Sequence, residues 1–135
     1  MIEDVSPQAT WLALEENPDA QLIDVRTQAE WFFVGIPELS RLNRELHLVS
    51  WQLPGGLING QFLEDLSAAG LTAGQPLYFI CRSGARSRAA AQAVTEAGLG
   101  PAFNVADGFE GPLDASSHRG IAAGWKASGL PWRQS

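Results

Sequence analysis

Cysteine occurs once in the 135 residues. A single thiol excludes an internal disulfide framework and any zinc site assembled from several thiolates. Histidine occurs only at His47 and His118, with no acidic cluster at ligand spacing, so neither a metal centre nor any other cofactor is expected. Positive charge is scarce. Nine Lys and Arg stand against fifteen Asp and Glu, a formal net charge of −6, which argues against nucleic acid or an anionic membrane surface as the main partner. No apolar run approaches the roughly 18 residues of a membrane span. The start, Met1-Ile2-Glu3-Asp4, lacks the basic segment and apolar run of a secretory signal. Together with the lone cysteine this points to a reducing compartment, most simply the cytoplasm.

What is present is an ordinary globular composition, 45% apolar and 18% charged, spread evenly enough for one domain over 1–135. Ser6-Pro7 reads as an N-cap with proline in the first helical position, and Asn17-Pro18-Asp19 as the stop. Leu22, Ile23 and Val25 mark a short strand within Gln21 to Val25. Thr27 to Glu30 matches a capping box and opens a second helix. Val34 to Arg44 reads as a loop and Leu46 to Trp51 as a strand. Asn59 is placed to cap a helix carrying Phe62, Leu63 and Leu66, ended by Gly70. Leu77 to Ile80 is a dense apolar run, as expected of a central strand buried on both faces. Ser87 to Ala97 reads as a helix with Gly98 past its end. Ala102 to Ala106 is a further strand, and Ile121 to Ser128 a short last helix. Alternating strands and helices predict an α/β domain: a central parallel sheet of about five strands with helices on both faces. Ligands of such sheets bind beyond the carboxyl ends of the strands.

At one such end stands Cys81, followed by Arg82-Ser83-Gly84-Ala85-Arg86 and then a helix. A strand–loop–helix can turn successive backbone N–H groups toward one point, with the helix N-terminus behind them. Arg82, Arg86 and Arg88 place three cations within seven positions of an otherwise acidic chain. Gly84 can supply a positive φ. Such surroundings favour a thiolate, the nucleophilic form of cysteine, without a histidine or aspartate base. A lone cysteine is also compatible with an inert core residue. The combination of strand end, glycine and flanking arginines favours the anion-binding nucleophile. Its substrate would be a small anion with an electrophilic atom.

Cys81-Arg82-Ser83-Gly84-Ala85-Arg86-Ser87 resembles the active-site loop of rhodanese-like sulfurtransferases. Leu22-Ile23-Asp24-Val25-Arg26 followed by Glu30-Trp31 is similar to the early motif of that family. Asn104-Val105-Ala106-Asp107-Gly108-Phe109 resembles its glycine turn, and Gly124-Trp125-Lys126-Ala127-Ser128-Gly129-Leu130-Pro131 its ending. The resemblance runs from about Val5 to Trp132. Gly35-Ile36-Pro37-Glu38 departs from it, because the histidine of many members is missing.

The resemblance implies sulfur transfer through a Cys81 persulfide, from a donor such as thiosulfate to cyanide or a cellular thiol. The residues from Arg82 to Ser87 would bind substrate, with Arg82 and Arg86 holding the sulfonate oxygens and Arg88 paired to an acidic neighbour. A partner-binding or protein-fed module is the alternative. Related phosphatases and arsenate reductases separate cysteine and arginine by five residues. Here Ser87 occupies that position, which opposes their chemistry. Four-residue spacing suggests an Arg26–Glu30 pair, with Asp24 anchoring a loop. Phe32-Phe33 reads as core, with an exposed patch serving a partner as the alternative. The five tryptophans read mostly as core or edge packing, with a pocket wall as the alternative for Trp31 or Trp51.

Overall fold

The computed structural model describes residues 2–134. Met1 and Ser135, the ends of the expected 1–135 domain, lie outside the described residues.

Five strands form one parallel sheet: β1 (Glu3–Val5), β2 (Gln21–Asp24), β4 (Leu46–Leu48), β5 (Leu77–Ile80) and β6 (Ala102–Val105), in the order β1-β6-β5-β2-β4. β5 is central, and all four of its residues are buried. Alternation along the strand sends Leu77 and Phe79 to one face, Tyr78 and Ile80 to the other. Helices α3 (Phe62–Ala68) and α4 (Ala85–Glu96) cover the first face through Phe62, Leu66, Ala90, Ala91 and Val94. Helix α1 (Pro7–Glu16) and the segment around Trp125 cover the second through Leu14 and Trp125. The expected parallel α/β sheet, covered on both faces, is therefore found.

Local chemistry explains the helix starts. The Ser6 hydroxyl accepts from Ala9 N–H at 3.0 Å, with Pro7 in the first turn. Helix α2 (Gln28–Phe33) opens with the capping box: Thr27 Oγ1 accepts from Glu30 N–H, and Glu30 Oε1 accepts from Thr27 N–H, both at 3.3 Å. Helix α4 begins at Ala85, two residues before the expected Ser87, with Gly84 at its N-cap.

Several expectations need correction. Asn59 does not cap α3: the N-cap is Gln61, and Asn59 Oδ1 accepts from Gln61 N–H in a turn before the helix. The strand expected over Leu46 to Trp51 ends at Leu48. Phe32 and Phe33 are 62% and 72% exposed, because α2 buries none of its residues. The segment Val34 to Arg44 is not loop throughout: it holds β3 (Ile36–Pro37) and a 3₁₀ turn at Ser40–Leu42, and β3 pairs antiparallel with β7 (Trp132–Arg133). Ile121 to Ser128 forms bends and turns rather than a helix. There, Trp125 N–H and Lys126 N–H donate to Gly108 and Phe109 carbonyls instead of to a helical turn. Arg26 does not pair with Glu30. It precedes the cap at Thr27, so the four-residue spacing spans no helical turn; it folds back on Asp24 instead.

Candidate active site

Cys81 directly follows β5 and is 1% exposed. Its Sγ accepts from Gly84 N–H at 3.1 Å, and Ser87 Oγ lies 3.2 Å away. The tight turn that aims this N–H at the sulfur requires Gly84 at φ 113°, a conformation costly for residues with a Cβ. The loop after β6 fixes the rest of the turn. Phe109 N–H donates to the Cys81 carbonyl at 2.7 Å, while Glu110 and Gly111 N–H donate to the Arg82 carbonyl at 3.0 and 3.1 Å. The approach is close enough that a Cβ on Gly108 would sit 2.5 Å from the Cys81 carbonyl oxygen.

Ser87, on the first turn of α4, is fully buried. Its hydroxyl carries one proton and has three acceptors in reach: Cys81 Sγ, the Gly84 carbonyl at 3.2 Å and Asn104 Oδ1 at 2.5 Å. Asn104 Nδ2 donates to Asp4 Oδ1 at 3.0 Å, which turns the amide oxygen toward Ser87. Arg88 pairs with Asp4, as its acidic-neighbour reading requires. Neither Asp4 nor the tie through Asn104 is visible in local sequence. β1 brings Asp4 beside Asn104 in strand register.

The other arginines divide. Arg86 forms a two-pronged ion pair with Glu30, Nη1 to Oε1 at 2.6 Å and Nη2 to Oε2 at 2.9 Å. Burial pushes the Glu30 carboxyl up, but the hydrogen bond and charge of Arg86, with the Thr27 bonds, outweigh it and hold the group below its usual range. The Arg86 guanidinium is correspondingly raised, first by its Glu30 hydrogen bond; burial opposes this, and the charges of Glu30, Cys81 and Asp24 add to it. The Arg82 side chain is exposed and has no hydrogen bond or ion pair among the described residues. Ser83 and Ala85 are also exposed, at the rim of the loop.

Asp24 and Arg26 form a fully buried pair beside the site. Nε donates to Oδ1 at 2.9 Å, Nη2 to Oδ2 at 2.6 Å and Nη2 also to the Gly35 carbonyl at 2.8 Å. The guanidinium carbon lies 4.4 Å from the Phe109 ring centroid. Trp51 packs edge-on against Phe62, and Trp31 lines a groove of about 770 Å³ between α2 and the segment after β4, which contains none of residues 81–87.

Residues 3–135 match the family described as the STR4 middle domain. The chain is a rhodanese-like domain of that family. A rice relative, the chloroplastic protein Thylakoid rhodanese-like (Oryza sativa subsp. indica), is 33% identical over 95% of this chain and 24% of its own length. The Rickettsia rickettsii protein described as an uncharacterized RP600 homolog is 37% identical, covering 98% of both chains. The thiosulfate sulfurtransferase GlpE of Actinobacillus pleuropneumoniae is 27% identical over 95% of this chain and 90% of its own. Among solved structures, Rv0390 from M. tuberculosis superposes with a TM-score of 0.90 at 51% identity, covering 98% of each chain. The rhodanese-like domain thus has sulfurtransferases among its distant relatives. No helix among its described residues is long and apolar enough to cross a membrane.

Proposed function

We propose that the chain is a sulfurtransferase in which Cys81 carries sulfane sulfur as a persulfide. The observation that carries this reading is the sulfur itself, at a strand end and within reach of a backbone N–H and a buried hydroxyl. These groups act in a water-poor site on charge that moves between thiolate and persulfide. With thiosulfate as donor, the Cys81 thiolate attacks the outer sulfur. The new S–S bond forms as the bond to the sulfonate sulfur breaks, and its electron pair leaves with sulfite. A thiophile then attacks the outer sulfur of the persulfide and restores the thiolate. Cyanide yields thiocyanate; a small-molecule or protein thiol yields a new persulfide. Arg82 is free to meet oxyanion oxygens, with Ser83, Gly84, Ala85, Arg86 and Ser87 completing the wall. A reducing, cytoplasmic setting suits a mechanism that starts from a free thiol. A second reading, a carrier loaded by another protein, draws on the 1% exposure of Cys81 and the engagement of Arg86 by Glu30.

Intact mass after incubation with thiosulfate tests the proposal. Wild type should gain one sulfur atom that cyanide removes, and Cys81→Ser should gain none. Sulfur gained by Cys81→Ser would eliminate Cys81 as the carrier.

A further inference from the structure

The Cys81 loop and the first turn of α4 carry three arginines, yet most of their charge is cancelled in place. Glu30 holds Arg86 by two hydrogen bonds, and Asp4 holds Arg88. Of these three, Arg82 alone has a guanidinium without a hydrogen bond or ion pair among the described residues. The Glu30–Arg86 pair is half-buried, each side chain about one-fifth exposed. Glu30 is also fixed by α2: its Oε1 accepts from Thr27 N–H and from the Thr27 hydroxyl, at 3.3 and 3.1 Å. A donor anion that takes over Arg86 must break the pair with a carboxylate that the Thr27 bonds hold in place, beside the incoming charge.

We infer that Glu30 determines donor specificity: as the resident counter-ion of Arg86, it disfavours dianionic sulfane donors such as thiosulfate relative to the hydropersulfides of thiols, R–S–SH. The inference rests on the proposed role of Cys81 as sulfur carrier. A hydropersulfide attacked in its protonated form brings no charge that Arg86 must meet. The thiolate attacks the terminal sulfur, the R–S to sulfur bond breaks, and its electron pair leaves on R–S⁻. The terminal sulfur and its proton remain on Cys81 as Cys81–S–SH. Atoms and charge balance, and no external oxidant or reductant enters.

Glu30 acts through Arg86, so it is a positioning residue and its test is a ratio. Wild type and Glu30→Gln are incubated separately with thiosulfate and with the hydropersulfide of 2-mercaptoethanol, and the rate of sulfur gain on Cys81 is followed by intact mass. Glutamine keeps an oxygen for the Thr27 N–H but loses the charge. The thiosulfate-to-hydropersulfide rate ratio should rise about tenfold in Glu30→Gln, the scale of one relieved like-charge contact. Glu30→Asp, which restores the charge, should return the ratio toward wild type. Equal changes in both rates would show a merely structural role and overturn the inference while leaving the carrier intact. An unchanged or lowered ratio would overturn it equally. Sulfur gain from neither donor, with a thiol that still alkylates, would overturn the carrier reading and this inference together.

Discussion

At the scale of single residues, the site is built from charges that satisfy one another before any ligand arrives. Asp24 and Arg26 are the extreme case, both wholly inaccessible. Removing one partner of such a pair leaves an uncompensated charge in the interior. Asp24→Asn should therefore destabilise the fold by about 3–5 kcal/mol. Urea unfolding measures this, and a loss of only a few tenths would mean that Arg26 finds another partner. The Glu30–Arg86 pair gives a pH signature. The Glu30 carboxyl is held below its ordinary range in the folded chain, so the folded state binds its proton less readily than the unfolded state. The stability this contributes is complete above the ordinary carboxylate range and is lost as the pH falls through the folded-state value. Thermal unfolding of wild type and Glu30→Gln across an acid series should converge at low pH. A gap of constant size would dissociate the effect from Glu30 ionisation.

At the scale of elements, the loop after β6 holds the Cys81 loop by three backbone hydrogen bonds and a close approach at Gly108. A methyl group there cannot be accommodated without movement of the Cys81 or Arg82 backbone. Gly108→Ala should lower stability by about 1–3 kcal/mol, the usual cost of forced overpacking, and slow sulfur uptake at Cys81 more than it perturbs far-UV circular dichroism. Undiminished uptake would show that the approach can relax at no functional cost. Sequence made some of these elements legible and hid others. Ser6-Pro7 and the Thr27–Glu30 box mark helix starts because capping is local chemistry. Leu77 to Ile80 announces a central strand because both of its faces are apolar. β1, by contrast, is largely Glu3-Asp4-Val5 with two exposed acids, and only its pairing with β6 makes it a strand. β3 and β7 contribute two residues each and join positions about a hundred apart in sequence, so no local pattern announces them. In the site, the Cys81 loop could be read from residue types and spacing. Its acidic partners could not, because Glu30 and Asp4 reach Arg86 and Arg88 across 56 and 84 residues of chain.

At the scale of the molecule, two apolar cores lie on opposite faces of one sheet and share β5. Trp51 packs against the first and Trp125 lies within the second. If the chain behaves as one cooperative domain, the two faces lose structure together. Tryptophan fluorescence of Trp51→Phe and of Trp125→Phe should then give transitions that coincide with circular dichroism for the same variant. Separate midpoints within one variant would divide the chain into independently unfolding parts.

The strand order also bears on self-association. The outermost strands of the main sheet, β1 and β4, are three residues each, whereas the inner strands β2, β5 and β6 have four. An open strand edge is a template on which another chain can add hydrogen bonds, and short or charged edges are poor templates. β1 presents Glu3 and Asp4 to solvent, and every copy carries the same net negative charge. The fully buried apolar strand Leu77–Ile80 is thus kept two strands away from either border. The arrangement that places Cys81 at the end of the central strand also shields that strand from amyloid-like stacking.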